Sequence, residues 1–179
     1  MVVIVAAGIG ATAAASYAAL RKIRSAVDGA KSPSVLLFDG KCAVCNFTVC
    51  FVLARNSRNT LRYASLHSPA GKKMAEEAGV NVWEGGAKYK DGTESPNTSV
   101  LIENGTAHVR LNAAAAVLPH LDGAWPLLVM PLYVVPGFLR DVFYNWFAAN
   151  RFRFFGEGDP GKCTELARSA DKRDLFLDK

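Results

Sequence analysis

A chain of 179 residues and 19.2 kDa is the size of one domain with an extension, and half of its residues are hydrophobic against 21% charged. That balance excludes a disordered chain, a collagen-like repeat and a small disulfide-stapled scaffold. The formal charge of +5 points to nucleic acid only until it is divided by region: residues 1–34 carry Arg21, Lys22, Arg24 and Lys31 against Asp28, and the rest holds 17 basic and 15 acidic side chains. With no long basic run, no electrostatic footprint for nucleic acid is left.

Residues 1–20 carry no charge and are largely alanine and other apolar residues, with Arg21-Lys22-Ile23-Arg24 directly behind them. A helix of that length would be about 30 Å long, enough to cross a hydrocarbon core, so the segment reads as a membrane anchor. An organellar targeting segment and a segment packed on the domain are the other readings. The basic residues follow the apolar run, the reverse of a secretory signal. If the leader functions as one, the protein is membrane-anchored or organelle-targeted; otherwise it is cytoplasmic. Val5-Ala6-Ala7-Gly8-Ile9-Gly10 lacks the first and third glycines of a dinucleotide fingerprint and is rejected as a nucleotide site.

After the linker Lys31 to Ser34, the apolar run Val35-Leu36-Leu37-Phe38 predicts a central strand ended by Asp39-Gly40. Helical spacing follows from Cys42 to Ala54, stopped by Asn56, Ser57 and Asn59. Leu61 to Leu66 alternates as a strand, and Ser68-Pro69 ahead of Ala70 to Ala78 and Gly79 has the cap, first-turn proline and terminal glycine of a helix. Ser99 to Glu103 and Ala107 to Arg110 flank Asn104-Gly105, a type I′ hairpin signal, and Asn112 is placed to cap a helix through Leu118. The order β-α-β-α-β-β-α is thioredoxin-like, with the first strand central between the second and third. Beyond it, Pro126, Pro131 and Pro136 break residues 124–139 into an apolar cover. Leu139, Val142, Phe143, Trp146 and Phe147 then share a helical face expected to be buried against the domain, with a membrane surface or a partner groove as the alternative. The chain thus divides into a leader and linker (1–34), an α/β core (35–122), an aromatic helical extension of the same domain (123–163) and a charged tail (164–179).

Of the four cysteines, Cys42 and Cys45 form a C-x-x-C at the start of the first core helix, a pattern of redox or metal chemistry. Disulfide exchange needs a thiolate that is stabilised yet reachable. Helix N-terminal N–H groups and the adjoining Lys41 supply the stabilisation, which makes Cys42 the expected nucleophile, open to solvent, and Cys45 the resolving cysteine one turn on. Asp39 is close enough to cap the helix, or, buried with a raised pKa, to take the Cys45 proton. A zinc site would need two further ligands from Cys50, Cys163, His67, His108 or His120; a static disulfide is another reading of the pair. Cys50 falls on a different helix face and reads as a small apolar core residue.

The run Phe38-Asp39-Gly40-Lys41-Cys42-Ala43-Val44-Cys45-Asn46 resembles the signature of the DCC family of thiol-disulfide oxidoreductases, named for Asp-x-x-Cys-x-x-Cys. Arg62 to Leu66 with Ser68 and Gly71, Ser99 to Gly105, and Asn150 to Gly156 with Cys163 extend the resemblance over residues 35–163. It implies a thioredoxin-like fold with Asp39, Cys42 and Cys45 as the functional set. Thioredoxins place a cis-proline just before the third strand; here Pro96 stands three residues ahead of Ser99, a departure from that position. Arg151 and Arg153 match the family pattern and read as surface charge or carboxylate partners, with a substrate groove or anion site as the alternative. Cys163 reads as a buried structural thiol or a third redox partner.

The expected function is thiol–disulfide exchange with a protein or small-molecule thiol or disulfide, through a reversible Cys42–Cys45 disulfide, without nucleotide, flavin or metal. The alternatives are a non-catalytic thioredoxin-like module binding through its aromatic C-terminal region, and a zinc site built on the C-x-x-C.

Overall fold

A computed structural model describes residues 16–30, 32–128, 134–156 and 172–178. Helix α1 (16–28) precedes β1 (Ser34–Phe38), α2 (Ala43–Ala54), β2 (Leu61–Ser65), α3 (Pro69–Glu77), β3 (Val100–Glu103), β4 (Thr106–Val109), α4 (Arg110–Val117) and α5 (Gly137–Phe155), with short 3-10 turns after α4 and at Arg173–Leu175. The sheet order is β2-β1-β3-β4. Strand β1 runs parallel to β2 and antiparallel to β3, which forms a hairpin with β4. This is a thioredoxin-like α/β fold with a C-terminal helix.

The continuous apolar run of β1 reflects burial on both faces, since successive side chains of a strand point to opposite sides. Leu36 and Phe38 enter one core with Val49, Val52 and Leu53 of α2 and Ala113 and Val117 of α4. Leu37 enters the other with Ala64, Leu66, Ala75 of α3, Val82 and Val100. Asn104 and Gly105 both take positive φ, 50° and 76°, as a type I′ turn requires. Ser68 caps α3 by accepting from the Gly71 N–H at 3.0 Å.

Three local expectations are corrected. Helix α4 starts at Arg110, two residues before the expected cap; the Thr98 hydroxyl accepts from the Arg110 N–H at 2.7 Å, and Asn112 inside the helix accepts from Arg140 at 2.7 Å. Residues 172–178, given to a tail on charge alone, return to the sheet: Leu175 is buried, the Leu177 N–H donates to Tyr63 O at 2.9 Å, and the Asp178 carboxylate accepts from the Ser65 N–H at 2.8 Å. On α5, Leu139, Val142, Phe143 and Trp146 are 48% to 65% exposed rather than buried. The stripe that meets the domain is instead Tyr144, Phe147, Ala148 and Arg151, the same i, i+3, i+4, i+7 spacing rotated round the helix.

Most of the apolar leader lies outside the described residues. Its described end is tied to the domain, with Val27 buried, Arg24 donating to Gly123 O at 2.6 Å and Asp28 paired to Arg58 at 2.8 Å. Among the described residues no helix is long and apolar enough to cross a membrane, so they lend no support to an anchor.

Gly71 packs α3 on the end of β2 so closely that a Cβ would stand 2.0 Å from Ser65 O. Gly71→Ala is therefore expected to lower stability by about 1–3 kcal/mol, read from the denaturation midpoint. The exposed Lys73→Ala on the same helix should stay within about 0.5 kcal/mol of the parent.

Candidate redox site

The site is built where β1 ends. Asp39 leaves the central strand, the chain turns at Gly40-Lys41, and Cys42 is the N-cap residue of α2 with Cys45 one turn on. The turn is pinned from both sides: the Asn46 side chain donates to Gly40 O at 2.9 Å, and a Cβ on Gly40 would meet Ser65 Oγ at 2.9 Å. A side chain there would have to displace the Ser65 hydroxyl on β2, so the turn and the strand approach closely at a glycine. A carboxylate oxygen of Asp39 and the sulfurs of Cys42 and Cys45, both free thiols, lie within 4.8 Å of one another.

Asp39 is 2% exposed and accepts from five groups. Its Oδ1 meets the Lys41 N–H and His67 Nε2, each at 3.1 Å; its Oδ2 meets the Ser95 hydroxyl at 3.1 Å and an Arg151 guanidinium nitrogen at 3.3 Å; the Tyr89 hydroxyl donates to the carboxylate as well. Burial opposes ionisation, but the hydrogen bonds from His67 and Tyr89, the Arg151 charge and the Lys41 N–H outweigh it and hold the carboxyl below its ordinary range. The raised pKa expected of a buried acid is therefore corrected, and the side chain braces the turn through Lys41 N–H without capping α2. Burial and the bond to Asp39 push the Tyr89 hydroxyl up, so it is a standing donor.

The two thiols are displaced in opposite directions. Cys42 falls to about 7: the Cys45 thiol donates to its sulfur, burial opposes, and the Cys45 backbone N–H and the Arg151 charge add to the lowering. Cys45 is raised well above its ordinary value by donating to Cys42, by burial and by the neighbouring negative charge. One proton shared between two sulfurs is the common cause. The cation involved is Arg151; Lys41, expected in that role, donates instead to Asp91 at 2.8 Å and Thr93 at 3.0 Å. The exposure expected of Cys42 is also corrected. It is 1% exposed, and Cys45 is the more open of the two.

Of the described residues considered for zinc, His67 comes to this end of the sheet, and its Nε2 faces Asp39. His120 is buried at the opposite end against Thr60 (2.9 Å) and Glu103 (3.3 Å), and burial lowers its pKa. Cys50 is disulfide-bonded and not an apolar core thiol; Cys163 lies outside the described residues. Asp39, Cys42 and Cys45 offer three metal donors. Every peptide bond described is trans, Pro96 included, and the Pro96 carbonyl accepts from Arg151 at 2.6 Å. Arg151, 5% exposed, is thus a carboxylate partner, whereas Arg153 is exposed. Sequence reasoning missed Tyr89 and Ser95, which sit in an irregular stretch without periodicity, and considered His67 as a zinc ligand rather than as the Asp39 partner it is.

A dithiol at the head of the first core helix of a thioredoxin-like fold, beside an ionised carboxylate, defines the class of protein as a thioredoxin-like C-x-x-C protein. Residues 36–157 match the family model of DCC1-like thiol-disulfide oxidoreductases, and the chain belongs to this family. It is 33% identical over 141 residues to the uncharacterized protein YuxK of Bacillus subtilis (strain 168), covering 79% of this chain and 93% of that protein. It is 30% identical over 125 residues to a chloroplastic DCC family protein of Arabidopsis thaliana, covering 70% and 66%. No solved structure matches it.

Truncating Asp39 would strand the buried Arg151, so Asp39→Ala is expected to cost about 3–5 kcal/mol. In the parent, the ionised carboxylate contributes stability that is complete above its unfolded pKa of about 3.9 and is lost as pH falls through its lower folded value. Urea titrations across acid pH should show this slope in the parent and its loss in Asp39→Ala.

Proposed function

We propose that the protein is a thiol–disulfide oxidoreductase that cycles between the Cys42–Cys45 dithiol and a disulfide, with Asp39 as the third member of the site. The observation that carries this reading is the pair itself: two free thiols one helical turn apart, with one near neutrality because the other keeps the proton. A thiolate at physiological pH is the reactive species in exchange, and a neighbour within bonding reach completes the couple. Joining the sulfurs releases two electrons and two protons, which turn a partner disulfide into two thiols; the reverse oxidises partner thiols. Family membership supports thiol or disulfide substrates. In this reading Asp39, ionised and locked by five donors, sets the turn that holds Cys42 at the head of α2, and Arg151 balances its charge beside the sulfurs.

A second reading, a non-catalytic module that binds through its aromatic C-terminal region, draws on the exposed Val142, Phe143 and Trp146. It differs in outcome: Cys42→Ser would leave function intact and Trp146→Ala would remove it. Zinc on Asp39, Cys42 and Cys45 would show as stoichiometric metal in the purified protein.

Redox titration against glutathione should give one two-electron couple that is absent from Cys42→Ser and Cys45→Ser; a protein that never forms the Cys42–Cys45 disulfide overturns the proposal. Alkylation of Cys42 should rise with pH to half its limiting rate near pH 7, with Cys45 unlabelled until far more alkaline. Burial lowers the absolute rate but not this profile. In Arg151→Met the Cys42 profile should move to higher pH, because the only nearby cation that lowers it is gone.

A further inference from the structure

Helices α2, α4 and α5 do not close on one another. Between them lies a cavity of about 420 Å³, within the range of small-molecule sites. Val44, Leu111 and Phe147 represent its wall, which is apolar along most of its length. Arg110 and Arg151 also line it, and no carboxylate does among the described residues. Part of the wall reaches the surface, since Phe143 is 59% exposed and the Arg110 side chain 41%.

Two features of this wall have no use in the reading above. Cys45 lines the cavity and Cys42 does not, so the open space lies beside the second cysteine of the pair. Arg151 is 95% buried, and one of its terminal nitrogens serves Asp39, Ser95 and Pro96. Its Nε–H has no acceptor among the described residues. A buried donor without a partner is destabilising, and an occupant bearing a sulfur or oxygen acceptor would satisfy it.

Resting on the redox reading, we propose that the cavity binds a small apolar thiol and that the mixed disulfide of the exchange forms at Cys45, with Cys42 as the leaving sulfur. A substrate thiolate in the cavity attacks Cys45 of the oxidised pair. The new S–S bond forms as the Cys42–Cys45 bond breaks, and the electron pair departs on Cys42. Exchange is fastest at the sulfur that can be reached and with the leaving thiol of lower pKa; here access selects Cys45, and the Cys45 N–H and Arg151 stabilise the departing Cys42 thiolate. A second substrate thiol, on the same or another molecule, then attacks the mixed disulfide and releases Cys45. In balance, two substrate thiols become one disulfide, and the protein disulfide becomes a dithiol that takes up their two protons. Arg110 is paired with Asp141 and Arg151 with Asp39, so what the wall selects is apolar surface, and its volume fits a small molecule rather than a folded surface.

The test reduces the oxidised full chain with octanethiol or with glutathione, quenches with iodoacetamide and locates the adducts by peptide mass. The octyl group is expected on Cys45 and the alkyl mark on Cys42. Per thiolate, octanethiol should react about tenfold faster or more, since its chain is buried on binding. Ala148→Trp, which fills the cavity from α5, should abolish this preference, bringing the two per-thiolate rates within about twofold of each other, well under the 1.4 kcal/mol of a tenfold change. Should that variant not fold, Ala114→Leu on the facing wall carries the same expectation. An octyl adduct on Cys42, or equal rates for the two thiols, overturns the proposal and leaves the redox reading standing. A chain in which the Cys42–Cys45 disulfide never forms overturns both.

Discussion

The buried contact between Asp39 and Arg151, 112 residues apart in the chain, is the constraint on which the rest of the site depends. Neither charge could be left in that interior alone, because an unpaired buried ion costs several kcal/mol. Their pairing therefore fixes α5 to the end of the central strand as firmly as the apolar stripe beside it does. Tyr89, Ser95 and His67 then saturate the carboxylate, and in doing so anchor the irregular 79–98 segment, which has little regular structure of its own. A single carboxylate thus gathers the end of β1, the loop beyond β2, the irregular segment and the C-terminal helix into one cluster.

The sulfurs sit inside this arrangement and feel both of its charges. Arg151 favours a thiolate at Cys42 and Asp39 opposes it, so the two charges of the ion pair act on that sulfur in opposite senses. What separates the two thiols is the bond between them together with the helix N–H groups at the N-cap. The asymmetry of the pair is consequently local and geometric. It comes from Cys42 standing at the N-cap of α2, where the thiol and the backbone N–H of Cys45 both reach its sulfur, and from Cys45 one turn on keeping the shared proton.

The strands, the first two core helices and the hairpin were legible because each has a local cause: two-sided burial in β1, the Ser68-Pro69 start, the positive φ of Asn104-Gly105. The C-x-x-C and Asp39 were legible because their chemistry is written in spacing. What could not be read is what arrives from a distance. Tyr89 and Ser95 follow no period, and their roles exist only once Asp39 is placed against them. Arg151 was visible as a matched position but not as a buried partner, since a cation on a surface-looking helix is ordinarily solvated. For the same reason the wrong face of α5 was chosen. Counting apolar residues selects Leu139, Val142, Phe143, Trp146 and Phe147, of which Phe147 does lie on the packed stripe, whereas that stripe is led by a guanidinium whose burial depends on a carboxylate from another element. The exposure of Cys42 failed similarly, because burial of a helix-cap residue depends on tertiary packing that spacing does not carry.

Helix α5 therefore does more than cover the domain. It carries the guanidinium that permits an ionised Asp39 and it walls the space beside Cys45, both from the single stripe Tyr144, Phe147, Ala148 and Arg151. The residue with the lowered thiol pKa is the buried Cys42, whereas the one that lines the open space is Cys45. Arg151 belongs to both arrangements, to the charge that favours the Cys42 thiolate and to the wall beside Cys45, so the C-terminal helix couples the electrostatics of the pair to the shape of the space next to it.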